Sequence, residues 1–85
     1  MSFKIEWSDE AIRRLRKLDR ETIRAVTARV SKLATDPFHY GRPLHGLELW
    51  TLRAGRHRVL FTLDLGRGIV FIVTVGPRKT VYDRR

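Results

Sequence analysis

The sequence predicts an α+β fold with the element order β-α-α-β-β-β, an antiparallel-rich sheet and a two-helix hairpin packed on one face. A short alternating segment opens the chain, and two amphipathic helical patterns follow it. The second half then contains three strand patterns separated by glycine-containing turns. With 85 residues the chain has the length of one small domain, so we expect a single domain over residues 1–85.

The first strand is predicted where apolar residues alternate with charged ones, at Phe3, Ile5 and Trp7. Ser8 is then a favourable helix N-cap, and the two acids that follow it suit the positive end of a helix dipole. Apolar residues recur after them at helical spacing, at Ala11, Ile12, Leu15 and Leu18. The pattern therefore predicts a first helix with one apolar face.

The other face of this helix is basic and carries Arg13, Arg14, Arg16 and Lys17. Two interpretations of this face are open. It is either a solvated helix surface or a strip that contacts the phosphate backbone of a nucleic acid.

A second helix is predicted to begin after Asp19, another favourable N-cap. Its apolar stripe consists of Ile23, Val26, Val30 and Leu33. Asp36 and Pro37 should end it because the residue before a proline avoids helical angles. The very short connection between the two helices predicts an αα-hairpin. Residues 38–46 are predicted to form a loop, whose polar side chains either reach a ligand or only meet water: His39, Tyr40, Arg42 and His45.

A β-hairpin is predicted for residues 47–54 and 57–65, with Gly55 and Arg56 as its two-residue turn. This turn sets the register, so Arg53 should lie directly across from Arg58. Like charges at paired positions reduce stability, so the pair suggests a site for a polyanion; the alternative is two solvated side chains that splay apart. The opposite face of the hairpin is apolar and consists of Trp50, Leu52, Ala54, Val59, Phe61 and Leu63.

The last strand is predicted at residues 69–75, after a tight turn at residues 65–68. In the register that this turn implies, Val75 lies opposite Arg58. Arg78 would then emerge at the end of the sheet where the paired arginines lie.

Apolar residues should share the sheet face that carries these arginines, while the helices cover the other face. They are Leu49, Leu60, Phe71, Val73 and Val75. An exposed apolar patch beside a basic cluster suggests a surface for a protein partner.

Charge is the strongest feature of the composition. The formal net charge is +9, and residues 41–85 contain nine Lys and Arg against three acids. This imbalance predicts attraction to a nucleic acid or to an acidic protein. There is no cysteine, and the three histidines have no metal-ligand spacing, so no metal and no cofactor are expected. No apolar run is long enough for a membrane span or a signal peptide, so we expect a soluble cytoplasmic protein without membrane contact.

Arg53, Arg58, Arg78 and Tyr82 form a set suited to a phosphodiester. Arginines can clamp the scissile phosphate and stabilise the charge that develops on its oxygens, and a tyrosine can stack on an RNA base. With RNA as the substrate, the nucleophile is the substrate's own 2′-hydroxyl. The general base and acid stay unassigned because arginine does not lose its proton near neutral pH.

Four segments stand out in the second half: LHGL at 44–47, LWTLRAGRHRVLF at 49–61, VGPR at 75–78 and VY at 81–82. They resemble the RelE/ParE toxin superfamily of type II toxin–antitoxin systems, and the similarity extends over essentially the whole chain. The resemblance implies a RelE-like mRNA interferase, a ribosome-dependent endoribonuclease that cuts mRNA in the A site and inhibits translation. Attack by the 2′-hydroxyl would leave a cyclic phosphate and a 5′-hydroxyl, and a cognate antitoxin would wrap and neutralise the toxin.

The resemblance also assigns roles to individual residues. The catalytic residues would be Arg53, Arg58, Arg78 and Tyr82. The basic charge, rather than the resemblance, is the reason to expect contacts to RNA and the ribosome from Arg13, Arg14, Lys17, Arg56, Lys79, Arg84 and Arg85, with His45 and His57 as further possible site residues. Thr51 and Pro77 depart from the RelE-like pattern, since some RelE members have a lysine at the first position and many relatives have a histidine at the second. The alternative is a ParE-like toxin that inhibits DNA gyrase without cutting RNA, although such members generally lack the full Arg and Tyr set.

Overall fold

The structure, a computed structural model, describes residues 2–44 and 48–77 of the chain. Its elements are β1 (Lys4–Trp7), α1 (Asp9–Arg16), α2 (Arg20–Ser31), a 3₁₀ turn (Lys32–Ala34), α3 (Pro37–Tyr40), β2 (Arg42–Pro43), β3 (Trp50–Ala54), β4 (His57–Asp64) and β5 (Ile69–Pro77). The strands of the described residues form a five-stranded sheet in the order β1-β5-β4-β3-β2. β1 is parallel to β5, and the other neighbours are antiparallel, so the predicted α+β class with an antiparallel-rich sheet is confirmed.

The two predicted N-caps are confirmed, and one of them also connects a helix to the sheet. The Ser8 hydroxyl accepts a hydrogen bond from the Ala11 N–H at 2.9 Å and donates one to the Val73 carbonyl at 2.7 Å. The Asp19 carboxylate accepts from the Thr22 N–H at 3.0 Å. Each cap satisfies a backbone donor that has no partner within its helix.

Replacing Ser8 by alanine should lower the free energy of unfolding by about 1 kcal/mol, as expected for the loss of an N-cap. The variant loses both the cap of α1 and the hydrogen bond to β5. Ser31→Ala is a matched control because the Ser31 hydroxyl is exposed and only donates to the Ala28 carbonyl of its own helix. Urea unfolding of both variants measures the difference, and equal losses would show that the Ser8 bonds contribute nothing specific.

The prediction of a loop for residues 38–46 is wrong at residues 38–40, which belong to α3, and at residues 42–43, which form β2. α2 ends at Ser31 and a 3₁₀ turn follows, so Asp36 and Pro37 begin α3 rather than end the second helix. The Asp36 side chain accepts from the His39 N–H at 3.1 Å, and Pro37 occupies the first turn, where its missing N–H costs nothing. Arg42–Pro43 then forms the edge strand β2 against β3.

The predicted register of the hairpin is confirmed. Ala54 pairs with His57, and Arg53 lies directly across from Arg58. Gly55 has a φ of 64°, which is the left-handed conformation that the first position of this turn requires and that glycine adopts without strain.

The register between β4 and β5 changes halfway along the pair. Asp64 pairs with Ile69 and Phe61 with Ile72, as the predicted turn requires, but a bulge next to Leu60 and Phe61 then shifts the pairing by one residue. As a result Arg58 lies opposite Gly76, so the prediction that Val75 faces it is wrong.

The shift has a physical reason in the core. Val75 is 0% exposed and pairs with Val59 on the face that the helices cover, whereas an unshifted strand would place it on the opposite face. The core contains Leu52, Val59 and Phe61, which the sequence predicted for this face. It also contains Val70 and Ile72 of β5, together with Val26, Val30 and Leu33 of the helical layer. The predicted apolar patch on the arginine face is smaller than expected, because Leu60 is 3% exposed while Phe71 is 39% exposed.

Candidate functional site

A basic cavity of about 530 Å³ lies at the edge of the sheet where β2 and β3 meet α3. The described residues that line it are Arg29, His39, Tyr40, Arg42, Thr51, Arg53 and Arg58. We call it the arginine cavity. It has four guanidinium groups in its lining and no carboxylate from the described residues. Such a surface favours a ligand with several negative charges.

Arg53 and Arg58 are positioned by the hairpin. They form a directly opposed pair on β3 and β4, and β4 is held on its other side by β5 through the pairing of Arg58 with Gly76. Arg53 is exposed and Arg58 is half-buried. Their backbones are therefore rigid, although two like charges at a paired position reduce stability.

Two further arginines reach the cavity from other elements. Arg42 lies on β2 opposite Thr51. Thr51 is two positions before Arg53 on β3, so the two residues are on the same face of that strand. Arg29 projects from α2, and its Nε donates a hydrogen bond to the Arg53 carbonyl at 3.2 Å. Sequence reasoning missed Arg29 because nothing in the α2 pattern distinguishes it from other helical arginines, and it treated Arg42 only as a loop residue.

Close packing anchors α3 and β2 to the core. A Cβ at Gly41 would overlap the Phe61 ring and come within 2.9 Å of the Pro37 carbonyl oxygen, so only glycine fits between them. The Tyr40 ring contacts the His39 ring edge to face, with centroids 4.7 Å apart. These contacts place His39 and Tyr40 in the wall of the arginine cavity.

The Thr51 hydroxyl is unpaired within the described part of the chain. Its oxygen is buried and has no hydrogen-bond partner among the described residues. Buried polar atoms are normally satisfied, so this hydroxyl is an exception within the described part of the site.

Comparison with known families identifies the chain. Residues 5–82 match the family model described as the ParE toxin of the type II toxin–antitoxin system parDE. The chain belongs to this toxin family. The search of curated proteins found no significant match to the toxin.

Solved structures agree with the family assignment. The toxin is similar to a chain of the RelBE2 toxin–antitoxin complex from Mycobacterium tuberculosis, at 26% identity and a TM-score of 0.84, covering 92% of this chain and 100% of that one. It is also similar to the free RelE toxin of E. coli in a mutant form, at 17% identity and a TM-score of 0.81, covering 98% and 93%. The archaeal RelE–RelB complex from Pyrococcus horikoshii gives 18% identity and a TM-score of 0.74, covering 92% and 97%. The resemblance to the RelE/ParE superfamily is therefore confirmed.

The structure separates the helix residues that were predicted to bind RNA from the arginine cavity. Arg13 on α1 and Lys17, the C-cap of α1, are exposed and line a different, shallow depression together with Arg16. Arg14 is partly neutralised because its Nε lies 3.6 Å from the Glu10 carboxylate one helical turn earlier. None of these residues is among the described residues that line the arginine cavity, and the role of this face as a contact strip stays a prediction.

His57 and Arg56 lie at the hairpin turn, on the wall of a separate small cavity next to the start of α2. Hydrogen bonds from Thr22 hold the pKa of the Asp19 carboxyl below its ordinary value. His57 pairs with Ala54, whose side chain is buried on the core face, so the strand alternation directs it away from the face of Arg58.

The other predicted site residues lie outside the described part of the toxin. They are His45, Arg78, Lys79, Tyr82, Arg84 and Arg85. Within residues 2–44 and 48–77, no group of three or more metal-ligating side chains could hold an ion. No helix in these ranges is long and apolar enough to cross a membrane.

Proposed function

We propose that the toxin is an endoribonuclease that cleaves mRNA on the ribosome. The observation that carries this proposal is the arginine cavity, which has four guanidiniums and no carboxylate in its described lining. Arginine binds phosphate oxygens through paired N–H donors, and it keeps its charge throughout the physiological pH range. The cavity thus suits the phosphodiester of a nucleic acid better than a neutral or cationic substrate.

The proposed chemistry needs no nucleophile from the toxin. The 2′-hydroxyl of the RNA attacks the adjacent phosphorus, the bond to the 5′-oxygen breaks, and a cyclic phosphate and a 5′-hydroxyl result. Arg53 and Arg58 would hold the nonbridging oxygens, on which negative charge increases in the transition state. Their fixed backbones favour this role because donors that are already oriented need no rearrangement during the reaction.

The proposed dependence of cleavage on the ribosome follows from the inability of arginine to act as a base. A guanidinium cannot accept a proton in a protein, so the paired arginines alone are a poor catalyst of proton transfer. Positioning of the mRNA by the ribosome would then supply much of the rate enhancement, because orientation of the reacting groups can remove a large part of the barrier. The net charge of +9 supports attraction to ribosomal RNA.

We also propose a cognate antitoxin as the partner of the toxin. The similar structures from Mycobacterium tuberculosis and Pyrococcus horikoshii are toxin–antitoxin complexes. An apolar groove of about 380 Å³ runs beside the edge strand β1 and is lined mainly by apolar side chains of β1, α1 and α2, including Trp7, Leu15 and Val30. An acidic amphipathic segment would match both this groove and the net charge of the toxin. The arginine face, where the sequence predicted a partner surface, stays a second candidate, since Leu60 is buried there but Phe71 is 39% exposed.

The family match supports a second candidate function. The matching family model is that of the ParE toxin. The resemblance given above implies that a ParE-like toxin inhibits DNA gyrase without cutting RNA. In that case the arginine cavity would bind an acidic protein or DNA surface without any bond cleavage.

The test is cleavage of a defined mRNA on programmed ribosomes, followed by mapping of the RNA ends. We expect a single-turnover cut that leaves a 5′-hydroxyl, and no cut when the nucleotide 5′ to the scissile phosphate is 2′-deoxy. Naked RNA should be cut at least about 100-fold more slowly, given the size of orientation effects. Intact mRNA together with inhibition of gyrase supercoiling would establish the ParE-like alternative instead.

A further inference from the structure

The proposed cleavage reaction requires a group that removes the proton of the 2′-hydroxyl. Arginine stays protonated in proteins, threonine is not a base, and a phenol holds its proton until about pH 10. Of the residues that line the described part of the arginine cavity, this leaves His39, since histidine changes its charge between about pH 5 and 8.

We propose that His39 is the general base of the toxin, an inference that rests on the proposed ribonuclease function. Its imidazole takes the proton of the 2′-hydroxyl while the 2′-oxygen forms its bond to phosphorus. The electron pair of the broken P–O bond leaves with the 5′-oxygen, which takes a proton from water. The imidazolium then returns its proton to solvent, so no other reactant is consumed.

The local structure fixes the position of His39. Its backbone N–H is bound by the Asp36 side chain at 3.1 Å, at the start of α3. Tyr40 lies against its ring, and the next residue, Gly41, is packed under Phe61 of the core. The side chain itself is exposed, so it can exchange protons with solvent after each turnover.

The charges around His39 are mostly positive. The cavity contributes guanidiniums from α2, β2, β3 and β4, the 3₁₀ turn places the Lys32 ammonium 5.4 Å from the Tyr40 ring centroid, and α3 contributes the Asp36 cap and the Tyr40 phenol. The same guanidiniums attract the phosphate of the substrate toward this wall of the cavity.

The test is the pH dependence of single-turnover cleavage on programmed ribosomes, for the wild-type toxin and His39→Gln. The wild-type rate should rise with pH and level off between about pH 5 and 8, where histidine loses its proton. In His39→Gln the rate should be about 100- to 10,000-fold lower, the usual range for loss of a general base. It should also keep rising with pH without levelling off, because hydroxide is then the only base.

Two additional measurements separate this role from a structural one. His39→Gln should bind ribosomes that carry 2′-deoxy mRNA as tightly as the wild type and should melt at the same temperature, because the side chain is exposed. A substrate with sulfur in place of the 5′-oxygen needs no acid for its leaving group, so the deficit of His39→Gln should persist with it. Disappearance of the deficit would show that His39 is the acid, and the assignment as base would be wrong.

The outcomes also distinguish this inference from the proposed function. A wild-type toxin that leaves ribosome-bound mRNA intact would overturn both. A wild-type toxin that cuts, with His39→Gln cutting equally fast, would overturn only the role of His39. That role would also be wrong if the cleavage rate of His39→Gln still levels off with pH while that of His57→Gln does not, because the titrating group would then lie at the hairpin turn.

Discussion

Replacing Arg58 by alanine should slow mRNA cleavage on the ribosome by about 100- to 1,000-fold, the effect of removing one oriented donor to a developing oxyanion. Arg58 lies on β4 between β3 and β5, so its backbone is held on both sides before the substrate arrives. Single-turnover cleavage measures the loss. The melting temperature should stay level or rise slightly, because the substitution removes the repulsion with Arg53 across the strand pair.

Arg67→Ala is the matched control for this variant. Arg67 is exposed in the turn between β4 and β5 and does not line the arginine cavity, and its replacement removes the same unit of charge. The control variant should cleave within about twofold of the wild type, because distant surface charges interact weakly at physiological salt. If Arg58→Ala unfolds, Arg58 is a structural residue and its assignment to the phosphate is wrong. Equal losses in both variants would show that only net charge matters.

Replacing Gly41 by alanine should lower the free energy of unfolding by about 1–3 kcal/mol, the typical cost of overpacking a core. Gly41 has an ordinary extended backbone conformation, with φ −100° and ψ 169°, so the cost comes from the overlap with Phe61 and not from backbone strain. The segment that the added methyl group displaces contains His39, Tyr40 and Arg42, which line the arginine cavity. Cleavage should therefore fall by more than the unfolded fraction explains, as measured by urea unfolding and single-turnover rates on the same samples.

Gly66→Ala provides the control for an added methyl group. A Cβ at Gly66 would lie 3.6 Å from the Asp64 carboxylate, an ordinary van der Waals contact, so we expect little change in stability. Combining Gly41→Ala with Phe61→Leu should cost less than the sum of the two single variants, because the shorter side chain leaves room for the methyl group. If the losses in the free energy of unfolding of the two single variants simply add, the Phe61 ring does not hold α3 and β2 in place.

Local chemistry in the sequence was sufficient for several parts of this structure. Gly55 sets the turn and therefore the register of β3 and β4, because the turn length leaves a single pairing that buries the apolar face. Ser8 and Asp19 mark the helix starts, because a short polar side chain satisfies nearby backbone donors wherever a helix begins. These features depend on residues close together in the chain, and the opposition of Arg53 and Arg58 follows directly from them.

Tertiary packing decided the rest of the site. The bulge between β4 and β5 has no local signal, since its position depends on which valine the core must bury. The arginine cavity joins residues from α2, α3, β2, β3 and β4, and its α3 and β2 wall is held by the contact of Gly41 with Phe61, which is far from it in the chain. Such a contact is specified by the shape that the folded core leaves free, so neither Arg29 nor His39 could be assigned to the cavity from the pattern of its neighbours in the sequence.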